Sequence, residues 1–334
     1  MVRCSEIRKQ RMPETNILFS IVIPLYNKED TVERALRSVF NQTVQDFEII
    51  VVNDGSTDNG PKVVESIGDP RIRLIHQENQ GVSAARNLGI EEAKYDLIAF
   101  LDADDEWLPE FLATIVRLRE KFPACKVFGT QYFFSSPDGQ QRQAIIRGLP
   151  VGFSEGILVN YFDIASRSDP PLWTSAVSVE KKAIVGIGGF PVGIASGEDL
   201  LTWARLAVRY DIAYRNEPKA CFYEPIHASD RPGRVPSIPD FVGDALVDLL
   251  NKIDSKRLPE IRSYISLWYR MRANIFIQFG EGQQAREEIQ KSAYYSGMGL
   301  RLFVLSAISR LPKNISHKTL NIFKRLSSKI RGRE

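Results

Sequence analysis

Apolar runs with the length of β-strands alternate with helical segments between residues 18 and 102 of this 334-residue chain. LFSIVIPL, FEIIVVN, RIRLIH and DLIAFL have the apolar content of strands, and DTVERALRSVF and GVSAARNLGIEEA carry apolar residues at helical spacing. Strands that alternate with helices through short connections favour a mainly parallel sheet with helices on both faces. We therefore expect a doubly wound α/β fold in this part of the chain.

Polar clusters follow three of these strands, with the sequences PLYN, NDGSTD and LDADD. In open α/β sheets, ligands bind beyond the carboxyl ends of the strands. We therefore expect the three clusters to line one ligand-binding rim.

The last cluster crowds carboxylates behind an apolar run, and such groups repel one another unless a cation lies between them. Alternate residues of an extended segment project the same way, so Asp102 and Asp104 are expected to face one side. Carboxylate oxygens suit Mg²⁺ or Mn²⁺, which keep positions for phosphate oxygens, so the expected cation is a divalent metal that carries a diphosphate. The alternative is a solvated loop that caps a helix starting near Pro109, with Asp105 or Glu106 at its N-terminus.

Composition is that of a chain with a full core, with 43% hydrophobic and 25% charged residues. The three cysteines, Cys4, Cys125 and Cys221, form no CxxC pair, which indicates neither a disulfide framework nor a zinc cluster. A reducing cytoplasm is the expected compartment. Residues 1–17 are polar and lack the apolar segment of a signal peptide, so we expect a flexible leader there.

Charge is distributed unevenly along the chain. Residues 299–334 carry nine Lys or Arg and one acid, whereas the rest of the chain has a net charge of −5. The body shows no basic stripe interleaved with aromatic residues, so we expect no nucleic-acid partner. LNIFKRLSSKIRGR mixes apolar positions with a basic face, which is typical of attachment to an anionic membrane surface, here the inner face of the membrane. The alternative is a solvated helix packed on the body.

The regular alternation ends near residue 126. KVFGTQYFF and LWTSAVSVE predict strands, and EDLLTWARLAVR predicts a helix. YEPIHASDRPGRVPSIP has four prolines and no periodicity, so it predicts a long loop, and the chain beyond it has helical character. The expected organisation is an α/β domain over 18–235 and a helical region over 236–334 that ends in the basic tail.

Five segments resemble, in order, the motifs of family 2 glycosyltransferases: SIVIPLYNKEDTVERALRSVFNQT, FEIIVVNDGSTD, NQGVSAARNLGI, LIAFLDADDEWLP and GEDLLTWARL. The resemblance covers about residues 18–225. It implies the GT-A fold and an inverting, metal-dependent sugar transfer. The implied donor is a nucleotide-diphosphate sugar, with a UDP-sugar expected, and the implied acceptor is a glycan or a lipid-linked molecule. Related enzymes build cell-surface polysaccharides.

The resemblance also implies donor-binding roles for residues in the first three motifs. Pro24 and Tyr26 would hold the nucleobase, to which the tyrosine ring offers a stacking face. Asp54 would accept a hydrogen bond from the base, and Arg86 would approach the nucleotide or its diphosphate. The alternatives are a turn tyrosine, an Asx-turn aspartate and a surface salt bridge.

The remaining motifs imply the metal and the base. Asp102 and Asp104 resemble the DxD signature, the first near the ribose and the second as a ligand of Mn²⁺ or Mg²⁺. Asp199 resembles the general base, although it and Glu198 could simply favour a helix N-terminus. His227 lies where relatives carry a metal-binding histidine, although IHASDRP departs from the usual surroundings.

Three other functions are weighed against this interpretation. A dehydrogenase needs GxGxxG at the first strand–helix turn, and PLYNKED has no glycine. A nucleotidyltransferase is expected to carry a Gly-rich basic loop there, which YNKED does not resemble. The third alternative is a protein that binds a nucleotide sugar without turnover. The intact Asp102, Asp104 and Asp199 argue against it, and a donor-hydrolysis assay would decide. The sequence does not name the donor sugar or the acceptor.

Overall fold

The computed structural model describes residues 17–224 and 235–331. The described strands are β1 (Phe19–Leu25), β2 (Phe47–Asp54), β3 (Ile72–Gln77), β4 (Leu97–Phe100), β5 (Glu106–Trp107), β6 (Val127–Ser135), β7 (Gln141–Gln143), β8 (Glu155–Ile157), β9 (Val177–Glu180) and β10 (Ile212–Tyr223). They form a ten-stranded sheet in the order β3-β2-β1-β4-β9-β6-β10-β5, with β7 beside β6 and β8 beside β10.

Helices cover the sheet and form the C-terminal part. The α-helices are α1 (Val32–Phe40), α2 (Gly60–Ile67), α3 (Val82–Glu92), α4 (Phe111–Lys121), α5 (Tyr161–Arg167), α6 (Lys181–Gly186), α7 (Glu198–Arg209), α8 (Phe241–Asp248), α9 (Leu258–Phe279), α10 (Gly282–Ser296), α11 (Leu300–Ile308) and α12 (Lys313–Arg331). Among the described residues, no helix combines the length and the apolar content needed to cross a bilayer.

The first four strands pair in parallel, as their alternation with helices predicts. β1 lies between β2 and β4, with Val22 opposite Ile50 on one side and Phe100 on the other. All residues of β1, β2 and β4 are buried, which is usual for parallel strands covered on both faces. α3 lies so close to β1 that a Cβ on Gly89 would overlap the side chain of Val22. The tight packing explains why a glycine is used in the middle of this helix.

Antiparallel pairs enter the sheet beyond β4. β9 is inserted between β4 and β6 and runs antiparallel to both, while β10 runs parallel to β6 and antiparallel to the short β5. The sheet is therefore mixed, with its parallel half on the side that carries the three polar clusters.

Pro24 lies within a central strand, where proline is uncommon because it cannot donate a ladder hydrogen bond. The last β1–β4 pair is Val22 with Phe100, and the carbonyl of Val22 accepts from the amide of Leu101 at 3.1 Å. The backbone nitrogen of Pro24 points toward β4, as the backbone of Val22 does, because alternate residues of a strand share a direction. At Pro24, however, β4 has already ended. The missing N–H therefore costs no hydrogen bond within the sheet.

The apolar cores lie on the two faces of the sheet and in the C-terminal helices. The core on one face contains Val22 and Phe100 of the sheet and extends to Leu246, Ile261 and Trp268 of α8 and α9. A separate core joins the end of α9 to α10, α11 and α12. The predicted helical C-terminal region is thus seen as α8 to α12, and its first helices share a core with the α/β part.

Candidate active site

The polar clusters after β1 and β2 are joined by hydrogen bonds. The backbone amide of Asn27 donates to the Ser56 hydroxyl at 3.1 Å, and the Asn27 side chain accepts from the amide of Thr57 at 2.8 Å. Asn27 has a φ of +51°, a conformation that asparagine tolerates better than most residues. These contacts fix the loop after β1 against the loop after β2, so two of the clusters form one rim as expected.

Asp102 and Asp104 lie in a tight turn, because the amide of Asp105 donates to the carbonyl of Asp102 at 3.0 Å. The expectation that Asp102 and Asp104 face one side of an extended segment is therefore wrong. The turn sends the two carboxylates to different cationic partners, one on α3 and one in the loop after β1.

Asp104 is held by two basic residues from the loop after β1 and from α1. Lys28 Nζ donates to Asp104 Oδ2 at 2.6 Å, and the guanidinium of Arg34 donates to the Asp104 carbonyl at 2.5 Å. The Arg34 guanidinium also lies over the ring of Tyr223, with Cζ 3.7 Å from the ring centroid. The third polar cluster is thereby attached to the first.

Arg86 projects from α3 and lies between two acidic segments. Its side chain is 5% exposed, its Nη2 donates to Asp102 Oδ1 at 2.7 Å, and its Nη1 lies 3.7 Å from Glu198 Oε1. Burial lowers the pKa of Arg86, but the carboxylates of Asp102 and Glu198 raise it more, so the side chain stays charged. The Cζ atom of Arg86 lies 5.1 Å from the ring centroid of Phe190. The Nε and Nη1 atoms of Arg86 are buried without a hydrogen bond among the described atoms, and Nη1 is held only by the longer ion pair with Glu198.

Glu198 and Asp199 begin α7, directly after Gly197 in a left-handed conformation. Asp199 Oδ1 accepts from the amide of Leu200 at 2.7 Å. Asp199 keeps some solvent contact but is densely surrounded by protein atoms, and this burial, followed by repulsion from Glu198, raises its pKa to about 6. A carboxyl with this pKa is still mostly ionised at pH 7.

Asp105 is turned inward and is 1% exposed. Its Oδ2 accepts from the hydroxyl of Ser175 at 2.5 Å, and its Oδ1 accepts from the amide of Tyr223 at 3.4 Å. Burial raises the pKa of Asp105 well above its usual range, and the neighbouring Asp104 and Asp102 raise it further. This residue ties the carboxylate turn to the end of β10, so it is neither solvated nor a cap of α4, as the alternative from the sequence would have it.

Asp54 is buried at the end of β2 and organises the start of α3. Its oxygens accept hydrogen bonds from the side chain of Gln77 at 2.7 Å and from the amides of Gln80 and Gly81 at 2.9 and 2.8 Å. A carboxylate has about four acceptor positions, so one remains for a ligand. The nucleobase role of Asp54 stays a prediction.

Tyr26 follows β1 and is 47% exposed, which leaves much of its ring accessible to a planar ligand. His227 lies outside the described residues, as do residues 1–16 of the expected leader. The nucleobase role of Tyr26 and the metal role of His227 both stay predictions.

The carboxylates at the rim are the type of ligand that suits a divalent cation. Within the ranges 17–224 and 235–331, no group of three or more His, Cys, Asp or Glu side chains could hold a metal ion. Mg²⁺ in phosphate-transfer sites commonly uses one or two protein carboxylates and takes its remaining ligands from water and substrate phosphates. Asp104, which already binds an ammonium group and is 36% exposed, fits such a site.

Residues 20–176 match the model of a family described as Glycosyl transferase family 2. This part of the chain belongs to that family. The family 2 segment includes the rim residues from Tyr26 to Asp104, whereas Glu198 and Asp199 lie beyond it. The predicted family is confirmed.

Curated relatives of the family 2 segment are bacterial glycosyltransferases. Putative glycosyltransferase EpsH of Bacillus subtilis (strain 168) is 44% identical over 100 residues, which are 29% of this chain and 29% of that protein. Uncharacterized glycosyltransferase YibD of Escherichia coli (strain K12) is 44% identical over 109 residues, or 32% of this chain and 31% of that protein. The matched segments thus span less than a third of the length of these relatives.

Solved structures resemble this chain over nearly its whole length. Staphylococcus aureus TarS 1–349, solved with UDP-GlcNAc, has a TM-score of 0.68 at 18% identity and covers 93% of this chain and 92% of its own. The mannosyltransferase PcManGT from Pyrobaculum calidifontis, solved with GDP-Man and Mn²⁺, has a TM-score of 0.54 at 17% identity, with 91% and 84% covered. At such identities the likeness shows the fold alone, and the predicted GT-A fold is confirmed.

Several contacts of the candidate site escape prediction from the sequence. Lys28 and Arg34 reach Asp104 from more than 60 residues away, and nothing in NKEDTVER indicates that pairing. Trp268, which lies against Gly197, comes from the helical region where the resemblance ends. For Lys28, a usable signal is its place directly after the first polar cluster.

Proposed function

We propose that this chain is an inverting glycosyltransferase that moves a sugar from a nucleotide-diphosphate sugar, with UDP preferred, to a hydroxyl of a glycan or lipid-linked acceptor. The observation that carries this proposal is the position of Arg86, which contacts Asp102 at 2.7 Å and approaches Glu198 within 3.7 Å. The buried side chain of Arg86 therefore lies between Asp102, on the proposed donor side, and Glu198, at the start of α7. A leaving diphosphate and a general base are needed at such neighbouring positions.

The donor side is assigned to the rim of the parallel half. The exposed ring of Tyr26 would stack on the nucleobase, which Pro24 and Asp54 would also contact, and Asp102 would bind near the ribose. The Arg86 guanidinium, whose Nε and Nη1 atoms make no hydrogen bond, would bind a diphosphate oxygen. Bound at Asp104, Mn²⁺ or Mg²⁺ would act as a Lewis acid on the leaving diphosphate, and His227 would be a further ligand. Donor complexes of the two structural neighbours support this assignment.

The acceptor side is assigned to Asp199. A carboxylate with a pKa of about 6 is ionised at neutral pH and is a better proton acceptor than an ordinary aspartate. It would take the proton of the acceptor hydroxyl as the oxygen attacks the anomeric carbon and the bond to the diphosphate breaks. Direct displacement inverts the anomeric centre and requires no protein nucleophile. Asp199 is therefore the proposed general base.

The C-terminal helices support a membrane-surface partner. α11 and α12 lie in the basic segment 299–334 and expose large apolar side chains, notably Leu300 at 81%, Phe303 at 65% and Ile322 at 59% exposed. Apolar residues that insert at the headgroup level and basic residues that attract anionic lipid are the features of a peripheral membrane helix. We assign these exposed side chains and Leu326 of α12, together called the α11–α12 face, to the inner, anionic leaflet.

The decisive experiment is a screen of the purified chain with Mn²⁺ against UDP-, GDP- and dTDP-sugars, with release of the free nucleoside diphosphate as the signal. Hydrolysis or transfer of one donor class is expected, and Asp199→Asn should reduce it. Tight binding of a nucleotide sugar without release of nucleoside diphosphate would instead assign a binding protein without turnover. Release of pyrophosphate from a nucleoside triphosphate would assign a nucleotidyltransferase.

A further inference from the structure

Lys28 occupies one oxygen of the carboxylate that the proposed function gives to the metal. The ammonium and the Asp104 carboxylate are 2.6 Å apart, and their side chains are 41% and 36% exposed. An ion pair this exposed adds little to stability, because solvent screens it. The position of this ion pair, and not its contribution to stability, is therefore what matters for function.

The backbone around Lys28 is fixed from both sides. The Lys28 carbonyl accepts from the amides of Thr31 and Val32 at 3.1 and 3.0 Å, which begins α1. The preceding Asn27 is bonded to Ser56 and Thr57 in the loop after β2. The loop that places Lys28 beside Asp104 is therefore ordered by hydrogen bonds on both sides of the lysine.

Asp104 keeps its place without Lys28. Its carbonyl is held by Arg34, and the following residue, Asp105, is buried and bonded to Ser175. The lysine, in contrast, is a single charge on a flexible stem and can turn away without disturbing the turn. The carboxylate is thus a stable ligand and the ammonium a removable one.

We propose that the Lys28 ammonium holds the cation position at Asp104 in the donor-free protein and thereby suppresses metal binding until the nucleotide arrives. This inference rests on the proposed function, since it takes Asp104 as a metal ligand. An ammonium and a divalent cation beside the same carboxylate repel each other. The nucleotide diphosphate adds negative charge and gives the ammonium another partner, so metal and nucleotide bind together. Lys28 is thus a positioning residue that makes the two bind cooperatively.

Free Mn²⁺ measured by electron paramagnetic resonance tests this inference on the full chain without donor. Lys28→Met and Lys28→Gln should bind Mn²⁺ on the order of 3- to 30-fold more tightly than the wild type, as expected when one unit charge near a divalent ion is removed in screened surroundings. Lys252→Met removes an exposed charge from the C-terminal part and should leave the affinity unchanged. Adding Asp104→Asn to Lys28→Met should abolish the gain.

Added UDP gives a second readout. UDP should tighten Mn²⁺ binding more in the wild type than in Lys28→Met, because the wild type starts from a suppressed affinity. Equal or weaker Mn²⁺ binding by both Lys28 variants, or no Mn²⁺ uptake by any form, would overturn the inference. Sugar transfer decides the proposed function separately, since transfer could occur whether or not Lys28 competes with a metal.

Discussion

Gly197 lies against the ring of Trp268, so closely that a Cβ on Gly197 would be 2.5 Å from both Cη2 and Cζ3 of the indole. The same glycine has a φ of +88° and precedes the first residue of α7. The contact with α9 thereby sets the position at which α7 begins, and with it the positions of Glu198 and Asp199.

Gly197→Ala should destabilise the fold and displace Asp199. The new methyl group must push the indole or the backbone away, in addition to the strain of a positive φ. Gly193→Ala is the matched control, because Gly193 has a φ of +79° but open space around its Cβ position. Urea unfolding should show an extra loss of about 1–3 kcal/mol for Gly197→Ala over the control. Equal losses of unfolding free energy in the two variants would mean that the contact with Trp268 does not constrain position 197.

Asp199→Asn should stop turnover while donor binding survives. The amide keeps the size of the side chain and its acceptor oxygen for the Leu200 amide, but it cannot take a proton. The transfer rate should fall about 10²- to 10⁴-fold, and the calorimetric affinity for the donor nucleotide should stay near the wild-type value. Wild-type turnover would make Asp199 a helix-start residue only, with Glu198 the next candidate for the base.

The pH–rate profile should show an acid limb near pH 6. Burial and the charge of Glu198 raise the pKa of Asp199 to about 6, so the base becomes protonated below this pH and kcat/KM should fall about tenfold per pH unit. Glu198→Gln removes a repelling carboxylate and should move the acid limb to lower pH. A limb that stays near pH 6 in Asp199→Asn, which has no titrating carboxyl there, would assign the limb to another group.

Asp104→Ala should weaken donor binding as well as turnover. Loss of the carboxylate removes the proposed cation ligand, so the donor diphosphate loses its counter-charge. EDTA should abolish transfer by the wild type, and added Mn²⁺ or Mg²⁺ should restore it. Asp58→Ala, in the loop after β2, is a control for removal of an acid that caps backbone amides at the same rim. Full activity of Asp104→Ala in EDTA would remove the metal from the mechanism.

Binding to anionic vesicles should depend on the α11–α12 face. Ile322→Glu with Leu326→Glu places two acids on exposed positions of α12 and should reduce flotation with phosphatidylglycerol vesicles. Val151→Glu with Val159→Glu adds the same charge at exposed positions elsewhere and should have no such effect. Equal recovery of the wild type with anionic and neutral vesicles would argue for a solvated helix.

The parallel half of the sheet could be predicted because its signals are local. Apolar runs and helical periodicity mark each element, and the ends of parallel strands meet at one edge whatever the details of packing. The insertion of β9 between β4 and β6 could not be predicted, since antiparallel pairing across such distances leaves no periodic trace. The division at residues 235/236 stays a prediction, and the apolar core is continuous from the sheet to α9.

The sequence predicts that polar side chains gather at the strand ends, but it does not predict their contacts. Asp102 and Asp104 were placed at the strand end correctly, but their separation into two ion pairs depends on a turn that the alternation rule does not anticipate. The inward Asp105 depends on Ser175, which lies about 70 residues away. Such partners are set by tertiary packing and cannot be predicted from spacing.

A single helix, α9, belongs to two cores. Its first half packs with the sheet and carries Trp268, and its last turns pack with α10, α11 and α12. A helix of 22 residues is about 33 Å long and behaves as a stiff rod. If the α11–α12 face rests on a membrane as proposed, this stiff helix, rather than a flexible tether, would set the distance between the membrane and the polar rim. Such an enzyme would select acceptors by how far they project from the membrane.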